Sequence, residues 1–265
     1  MALRLSELNI YPVKSAAGIS LTSARAQLRG LEFDRRWMIT DTDGKFMTQR
    51  QFPRMALIGV QINQNQLHLS APGMTDLVVE PVDRPPVRVE VWGDFCQAIL
   101  AEAAVNDWLT KFLDTSCQLV YMPDDTIRRV DRQYAIDPNR DHVSFADGFP
   151  YLLISEASLE DLNSRLEVPL PMNRFRPNFV VSGCEPFAED QWRAIRIGSV
   201  VFHLVKLCSR CAITTVDQAT GVREQEPLVT MAKFRLQKRK ILFGQNLVPE
   251  NEGAIALGDA IEVLA

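Results

Sequence analysis

Across residues 1–90, apolar side chains recur with the two-residue period of half-buried strands, and almost no stretch keeps the 3.6-residue period of a helix. In LRLSELNIYPV, Leu3, Leu5, Leu8 and Ile10 can line a buried face. RWMITDTDGKFMTQ reads as a hairpin turning at Asp43-Gly44, a pair that tolerates positive φ. MALIGVQINQNQLHLSA repeats the pattern around Asn63-Gln64-Asn65, and LVVEPV and PPVRVEVWG add two strands separated by a proline-rich turn. Short strands in succession, with little helix between them, predict a barrel or a sandwich.

The pattern changes after residue 93. FCQAILAEAAVNDWLTKFL sets Ile99, Ala103, Val105, Leu109 and Phe112 in an approximate helical stripe, so a boundary is expected between residues 93 and 125. CQLVYMP reads as a short strand, and residues 123–149, polar and punctuated by proline, as a long surface loop. YLLISEASLEDLNSRL predicts a strand running into a helix capped by Ser155 or by Ser158, the latter with Asp161 three residues on. FRPNFVVSG is a strand entered through a proline, and RAIRIGSVVFHLVKL a hairpin turning at Gly198-Ser199. CAITTVD begins another strand, EPLVTMAKFRLQ is a helix, and LFGQNLVPE and AIALGDAIEVLA close the chain as strands.

Composition excludes several classes of function. A formal charge of -4 over 265 residues argues against a nucleic-acid-binding surface, which needs a strongly basic face. The opening MALRLSELNIYPVKS lacks the apolar core of a secretory signal. No apolar run approaches the ~20 residues that cross a bilayer. The five cysteines, Cys96, Cys117, Cys184, Cys208 and Cys211, are odd in number and mostly scattered, unlike a disulfide scaffold. A cytoplasmic protein with reduced thiols and no membrane partner is therefore expected.

Two of those thiols are not scattered. KLCSRCAITTVD places Cys208 and Cys211 three residues apart with Arg210 between them. A structural zinc site needs about four ligands, and no second such pair or nearby histidine cluster supplies the rest. A dithiol redox pair belongs at a helix start, whereas Ala212-Ile213-Thr214-Thr215-Val216 is β-branched. Two simply buried cysteines remain open, although Arg210 would then need a partner. One thiolate ligand for a metal on an anionic organic carrier uses all the residues, because a guanidinium favours the thiolate and binds phosphate bidentately.

KLCSRCAITTVDQATGV, FRPNFVVSGCEPFAEDQW, PYLLISEASLEDLNSRL, and IYPVKSAAG with DRRWM together resemble, in order and over nearly the whole chain, the MOSC family, branches of which reduce amidoximes or detoxify hydroxylaminopurines. The resemblance implies an α+β, predominantly β protein. An amino-terminal β-barrel domain, residues 1–95, would pack on a MOSC β-barrel domain, residues 96–265, with a helix-containing connector at about 96–125. It implies a molybdenum cofactor, a metal held by a pyranopterin dithiolene, with Cys211 as the protein's sulfur ligand and Cys208 as a packed neighbour. Lys14 and Ser15 would donate to the cofactor phosphate. Arg35 would lie over the pterin or phosphate, with Arg36 on the opposite face if the segment is a strand. Arg176 and Asn178, straddling Pro177 on an extended backbone, would read the pterin edge, and Asp147, Gly148 and Arg210 would line the pocket. Asp217 would either orient the Cys211 loop or cap a turn.

The activity so implied is reduction of N-hydroxylated compounds, hydroxylamines, N-hydroxylated bases or amidoximes, by a molybdenum-dependent oxidoreductase. A carrier of the cofactor or of its sulfur, without turnover of its own, is the alternative. No cysteine follows Cys211, so electrons are expected from a separate protein, a flavin reductase or an iron–sulfur or haem protein.

Overall fold

Leu5, Leu8 and Ile10 share one core with Tyr151, Phe179, Phe202 and Leu247. In the computed structural model, which describes residues 2–265, that core lies against the largest sheet. Its strands run, edge to edge, Ile19–Ser20, Arg4–Ile10, Phe179–Ser182, Tyr151–Ser155, Lys240–Pro249, Val200–Ser209, Ala194–Ile197 and Ile261–Val263, with Leu236–Gln237 paired to the start of Lys240–Pro249. Its one parallel ladder joins Tyr151–Ser155 to Phe179–Ser182, a crossover made possible by the helix Glu156–Asn163. That helix starts where Ser155 Oγ accepts the Ser158 amide at 3.1 Å, satisfying one of its free N–H groups.

A second core gathers Trp37, Ile39, Met55, Leu67, Trp108, Leu109 and Leu119 beneath two smaller sheets and the helix Ala103–Leu113. Val13 and Ala16 belong to this second core, while Ile10, three residues earlier, belongs to the first. Lys14 and Ser15 therefore sit at the junction of the two. The protein is α+β and predominantly β, as its alternation predicts.

Four local expectations are corrected. Asp94–Leu100 is a strand, paired with Val87–Val91, and the helix begins only at Ala103. Cys96 and Ala98 are buried while Phe95 and Gln97 are exposed, so a period of two decides the segment despite its helix-forming residues. Residues 123–149 are not a surface loop throughout. Arg128–Arg129 pairs with His142–Val143, and Val130, Val143 and Phe145 are buried. CAITTVD does not begin a strand, because Ala212–Thr215 is a 3-10 turn. The Thr214 and Thr215 hydroxyls donate back to Cys211 O at 3.0 Å and Ala212 O at 2.8 Å, the local bonding that draws threonine out of a ladder. EPLVTMAKFRLQ is helical only over Leu228–Ala232, after which Leu236–Gln237 turns into the sheet.

Candidate functional site

A cavity of about 360 Å³ opens where the end of Val200–Ser209 meets the junction of the cores. The pairing of that strand with Lys240–Pro249 slips twice, at Val205 and again at Cys208, where Phe243 and Gly244 together oppose one residue. Bulges of this kind re-aim the side chains that follow them. Gly244 adopts φ +79°, and a Cβ there would lie 2.7 Å from Leu153 O, so the second bulge requires glycine. Beyond it the chain stays extended through Cys211 and then enters the 3-10 turn, which leaves Cys211 half-buried on the cavity wall.

Two arginines donate to the two sulfurs, and a third, Arg174, lines the same cavity. Arg50 Nη2 donates to Cys211 Sγ at 3.0 Å, lies 3.5 Å from Asp147 Oδ2, and has its guanidinium 4.4 Å from the Trp92 ring. Arg210 donates to Cys208 Sγ at 3.1 Å and to Phe175 O at 2.5 Å. Arg174 pairs through Nη2 with Asp217 at 2.9 Å and Glu224 at 3.1 Å. Each keeps buried nitrogen without a hydrogen-bond partner among the described residues: Arg50 Nη1, Arg174 Nε and Nη1, and Arg210 Nε.

The opposite wall is closed and paired. Lys14 Nζ donates to Phe145 O at 2.8 Å and Asp147 Oδ1 at 2.5 Å. Arg35 Nη1 donates to both oxygens of Asp34 at 2.7 and 2.8 Å, Nη2 donates to Arg176 O at 3.3 Å, and Asp34 also accepts the Tyr11 amide. The Tyr11 ring packs against two guanidiniums, Arg35 at 4.3 Å and Arg176 at 4.2 Å. Arg176 donates to Ala16 O at 2.6 Å. Ser15, Arg35 and Arg176 have φ of 67°, 50° and 57°, a left-handed conformation that costs a non-glycine residue about 1–3 kcal/mol and that clusters at functional sites.

Burial shapes the charges on this wall. It draws the Lys14 ammonium down to about 8, against the pull of Asp147, and the Arg176 guanidinium down to about 10. It pushes the Tyr11 hydroxyl up to about 12, with Arg176 and Arg35 opposing it. Asp147 is held well below the usual carboxylate range, because Lys14, Arg50 and Trp92 outweigh the burial that would raise it.

The cavity brings together every residue the motifs singled out for the site: Cys211, Lys14, Ser15, Arg35, Asp147, Gly148, Arg176, Asn178 and Arg210, with Cys208 among them. Some local geometry differs from expectation. Arg35 reaches the cavity and Arg36 turns away to Met122 O and Asp124, but through a turn with positive φ at Arg35 rather than through strand alternation. Arg176 is likewise left-handed, not extended. The Asn178 amide is committed to backbone, donating to Asn9 O and accepting the Leu152 amide. Asp217 does two things at once: it pairs with Arg174 and caps the turn at Ala219 and Thr220. Arg50, Trp92, Arg174 and Lys206 were not foreseen. Arg174 alone had a signal, its place two residues before Arg176 in NRFRPN.

Six cationic side chains line the cavity, Lys14, Arg35, Arg174, Arg176, Lys206 and Arg210, against one carboxylate, Asp147. Among the described residues no group of three or more His, Cys, Asp or Glu could hold a bare metal ion. A metal here must bring ligands of its own, on an anionic carrier that uses the free guanidinium nitrogens. The donor set and the excess of positive charge fit a phosphorylated pterin dithiolene with one protein sulfur.

A sheet-dominated protein with a half-buried cysteine at a cationic cavity defines a class, and the sequence comparisons agree with it. Residues 2–116 match the MOSC N-terminal beta barrel domain and residues 140–262 the MOSC domain, so the chain belongs to the MOSC family. The relatives it matches include mitochondrial amidoxime-reducing component 1 of Mus musculus, 37% identical across 98% of this chain and 82% of that protein. The Homo sapiens component 1 is also 37% identical, with the same coverage of 98% and 82%. Mitochondrial amidoxime reducing component 2 of Bos taurus is 35% identical over 97% of this chain and 82% of that protein.

Proposed function

We propose that this protein is a molybdenum-cofactor-dependent reductase of N-hydroxylated compounds. One observation carries the reading: a cysteinyl sulfur, already accepting a guanidinium N–H at 3.0 Å, opens into a cavity lined by six cations and one carboxylate. The amidoxime-reducing relatives set the reaction class. Cys211 would ligate the metal, with Lys14, Ser15, Arg35 and Arg176 holding the phosphate and pterin and Asp147 and Gly148 flanking them. Such a cofactor, when bound, supplies the two-electron change that converts R–NHOH, two electrons and two protons into R–NH2 and water.

The chain's own residues hold and orient. Lys14 presents a buried positive charge whose counter-ion, Asp147, is more than half exposed and free to yield to a phosphate. Asp34 holds Arg35 through Nη1 at the cavity, and Tyr11 fixes Arg35 and Arg176 at one spacing. Electrons come from a separate donor protein. The proposal places the protein in a reducing compartment, the cytoplasm, with the five free thiols as support; fractionation of its native host checks this.

The test is metal analysis of protein purified from its native host, with turnover of an amidoxime and a hydroxylamine under a panel of flavin, iron–sulfur and haem donors. Molybdenum near one per chain with donor-dependent amine formation is expected. Metal without turnover would make the protein a carrier, and turnover on a nicotinamide cofactor alone would refute the separate donor.

A further inference from the structure

One cation of the cavity has a charged group that no acceptor among the described residues engages. Lys206 lies on Val200–Ser209 between the two bulges, and its Nζ sits 4.1 Å from the Tyr134 ring centroid and 5.6 Å from that of Phe149. Among the described residues its Nζ has no carboxylate within 4 Å and no hydrogen-bond acceptor, whereas Lys14, Arg35 and Arg174 are each ion-paired and Arg176 and Arg210 donate to the carbonyls of Ala16 and Phe175. Asn246 donates to the Lys206 carbonyl at 3.1 Å, fixing the backbone beneath it, and lines the same cavity. Two rings thus face the ammonium itself, and Lys206 and Phe149 line the cavity that also holds Cys211.

The charges divide by position. Lys14, Arg35 and Arg176 gather at the junction of the cores, Arg50 and Arg210 each donate to a sulfur, and Arg174 is held by Asp217 and Glu224. Lys206 stands apart, on the sheet beside Asn246 and Leu152. A cation held without a counter-ion at the cavity wall is an electrostatic vacancy for an anion.

We propose that Lys206, with Asn246 at its base and Tyr134 and Phe149 beside it, forms an anion subsite that selects N-hydroxylated substrates carrying a carboxylate or phosphate substituent. The inference rests on the reductase reading and adds the chemical class of substrate. Lys206 is a specificity residue: the anion pairs with Nζ, Tyr134 and Phe149 flank the planar body of the molecule, and the N–OH group is left toward Cys211.

The test uses the cofactor-loaded protein and a matched set: an aryl amidoxime, its 4-carboxylate and its neutral 4-carboxamide. The wild type is expected to favour the carboxylate over the carboxamide by about 10-fold in kcat/KM, the size of one partly screened charge-assisted hydrogen bond. Lys206→Met loses that preference through KM, with kcat for the neutral pair unchanged and molybdenum per chain as in the wild type, and Lys206→Arg restores it. Calorimetric binding of the matching amidines, which carry no N–OH to reduce, reads the subsite without turnover and shows the same order. An unchanged preference in Lys206→Met overturns the proposal. Loss of the cofactor in that variant also overturns it, by assigning Lys206 to the cofactor. Failure of every N-hydroxylated compound to turn over, with amidine selectivity intact, would overturn the reductase reading and leave the subsite standing.

Discussion

The two walls of the cavity are built on opposite rules. On the wall of Lys14, Arg35 and Tyr11, charged and aromatic groups are buried against partners supplied by the protein itself, down to the Asp34 carboxylate with no exposed surface. At Cys211 and Cys208 the guanidiniums of Arg50 and Arg210, and elsewhere on the cavity lining that of Arg174, are only partly used, and four of their nitrogens have no partner among the described residues. The first wall is charge-paired before any ligand arrives, with the more than half-exposed Asp147 left to yield Lys14 to a bound ligand. The second is organised to receive one, since buried N–H groups left unmatched cost about 1–3 kcal/mol each until an acceptor arrives.

The largest test of that contrast is Cys211→Ala, which should abolish reduction, beyond the roughly 10–100-fold that outer partners of a metal ligand cost. Full activity with metal retained would remove the sulfur from the reaction. Asp34→Asn should act on the other wall and through folding: it strands Arg35 without its counter-charge and should cost about 3–5 kcal/mol, read as a lower urea midpoint. A loss confined to activity, with the urea midpoint unmoved, would mean that Asp34 aims Arg35 without stabilising the fold. Arg50→Met should leave the urea midpoint nearly unmoved and weaken molybdenum retention roughly 10–100-fold, measured by dialysis against a chelator and metal analysis. Equal retention in the variant would mean that the Arg50 contact to Cys211 does nothing for the metal.

The smallest effect is that of pH. Burial lowers the folded Lys14 to about 8 from 10.5, so its charge is present below that pH and lost above it. Sulfate, which does not titrate in this range, should bind the metal-free cavity less well as pH rises through about 8, and Lys14→Met should flatten the profile. The same shift gives the unfolded chain the greater proton uptake between the two values, so the contribution of Lys14 to stability rises with pH across that window. A wild-type profile that stays flat would place the bound sulfate away from Lys14.

Much of this was legible in the sequence, unevenly. The strands showed through their alternation, and the Gly198-Ser199 turn and the Ser155 cap through residue chemistry. Cys211, Lys14, Arg35 and Arg176 were legible because short motifs mark them. Asp94–Leu100 was not, since Ala98 and Leu100 suit a helix and only pairing with Val87–Val91 decides against it. Nor was the 3-10 turn after Cys211, where β-branched threonines favour a strand until their hydroxyls find backbone carbonyls. Arg50 comes to Cys211 from a distant segment with no local periodicity to announce it, and Lys206, though it opens the KLCSRC stretch, carries no pattern that says it lines the cavity. Their partners, Cys211 at 161 positions' separation and the Tyr134 ring, exist only once both cores have formed.

The Arg4–Ile10 strand bears on how the protein is made. Its long ladder is with Phe179–Ser182, so that Ser6 meets Val180 across 174 positions of chain. A ribosome adding roughly 5–20 residues per second needs about 10–35 s to deliver that partner. For that time the strand has only its short hairpin with Ile19–Ser20 as a ladder, and its other edge stays open to any other nascent strand. Lys14, just after this strand, meets Phe145 and Asp147 across 131 and 133 positions, so that wall of the cavity closes only after a long further stretch of chain has been made.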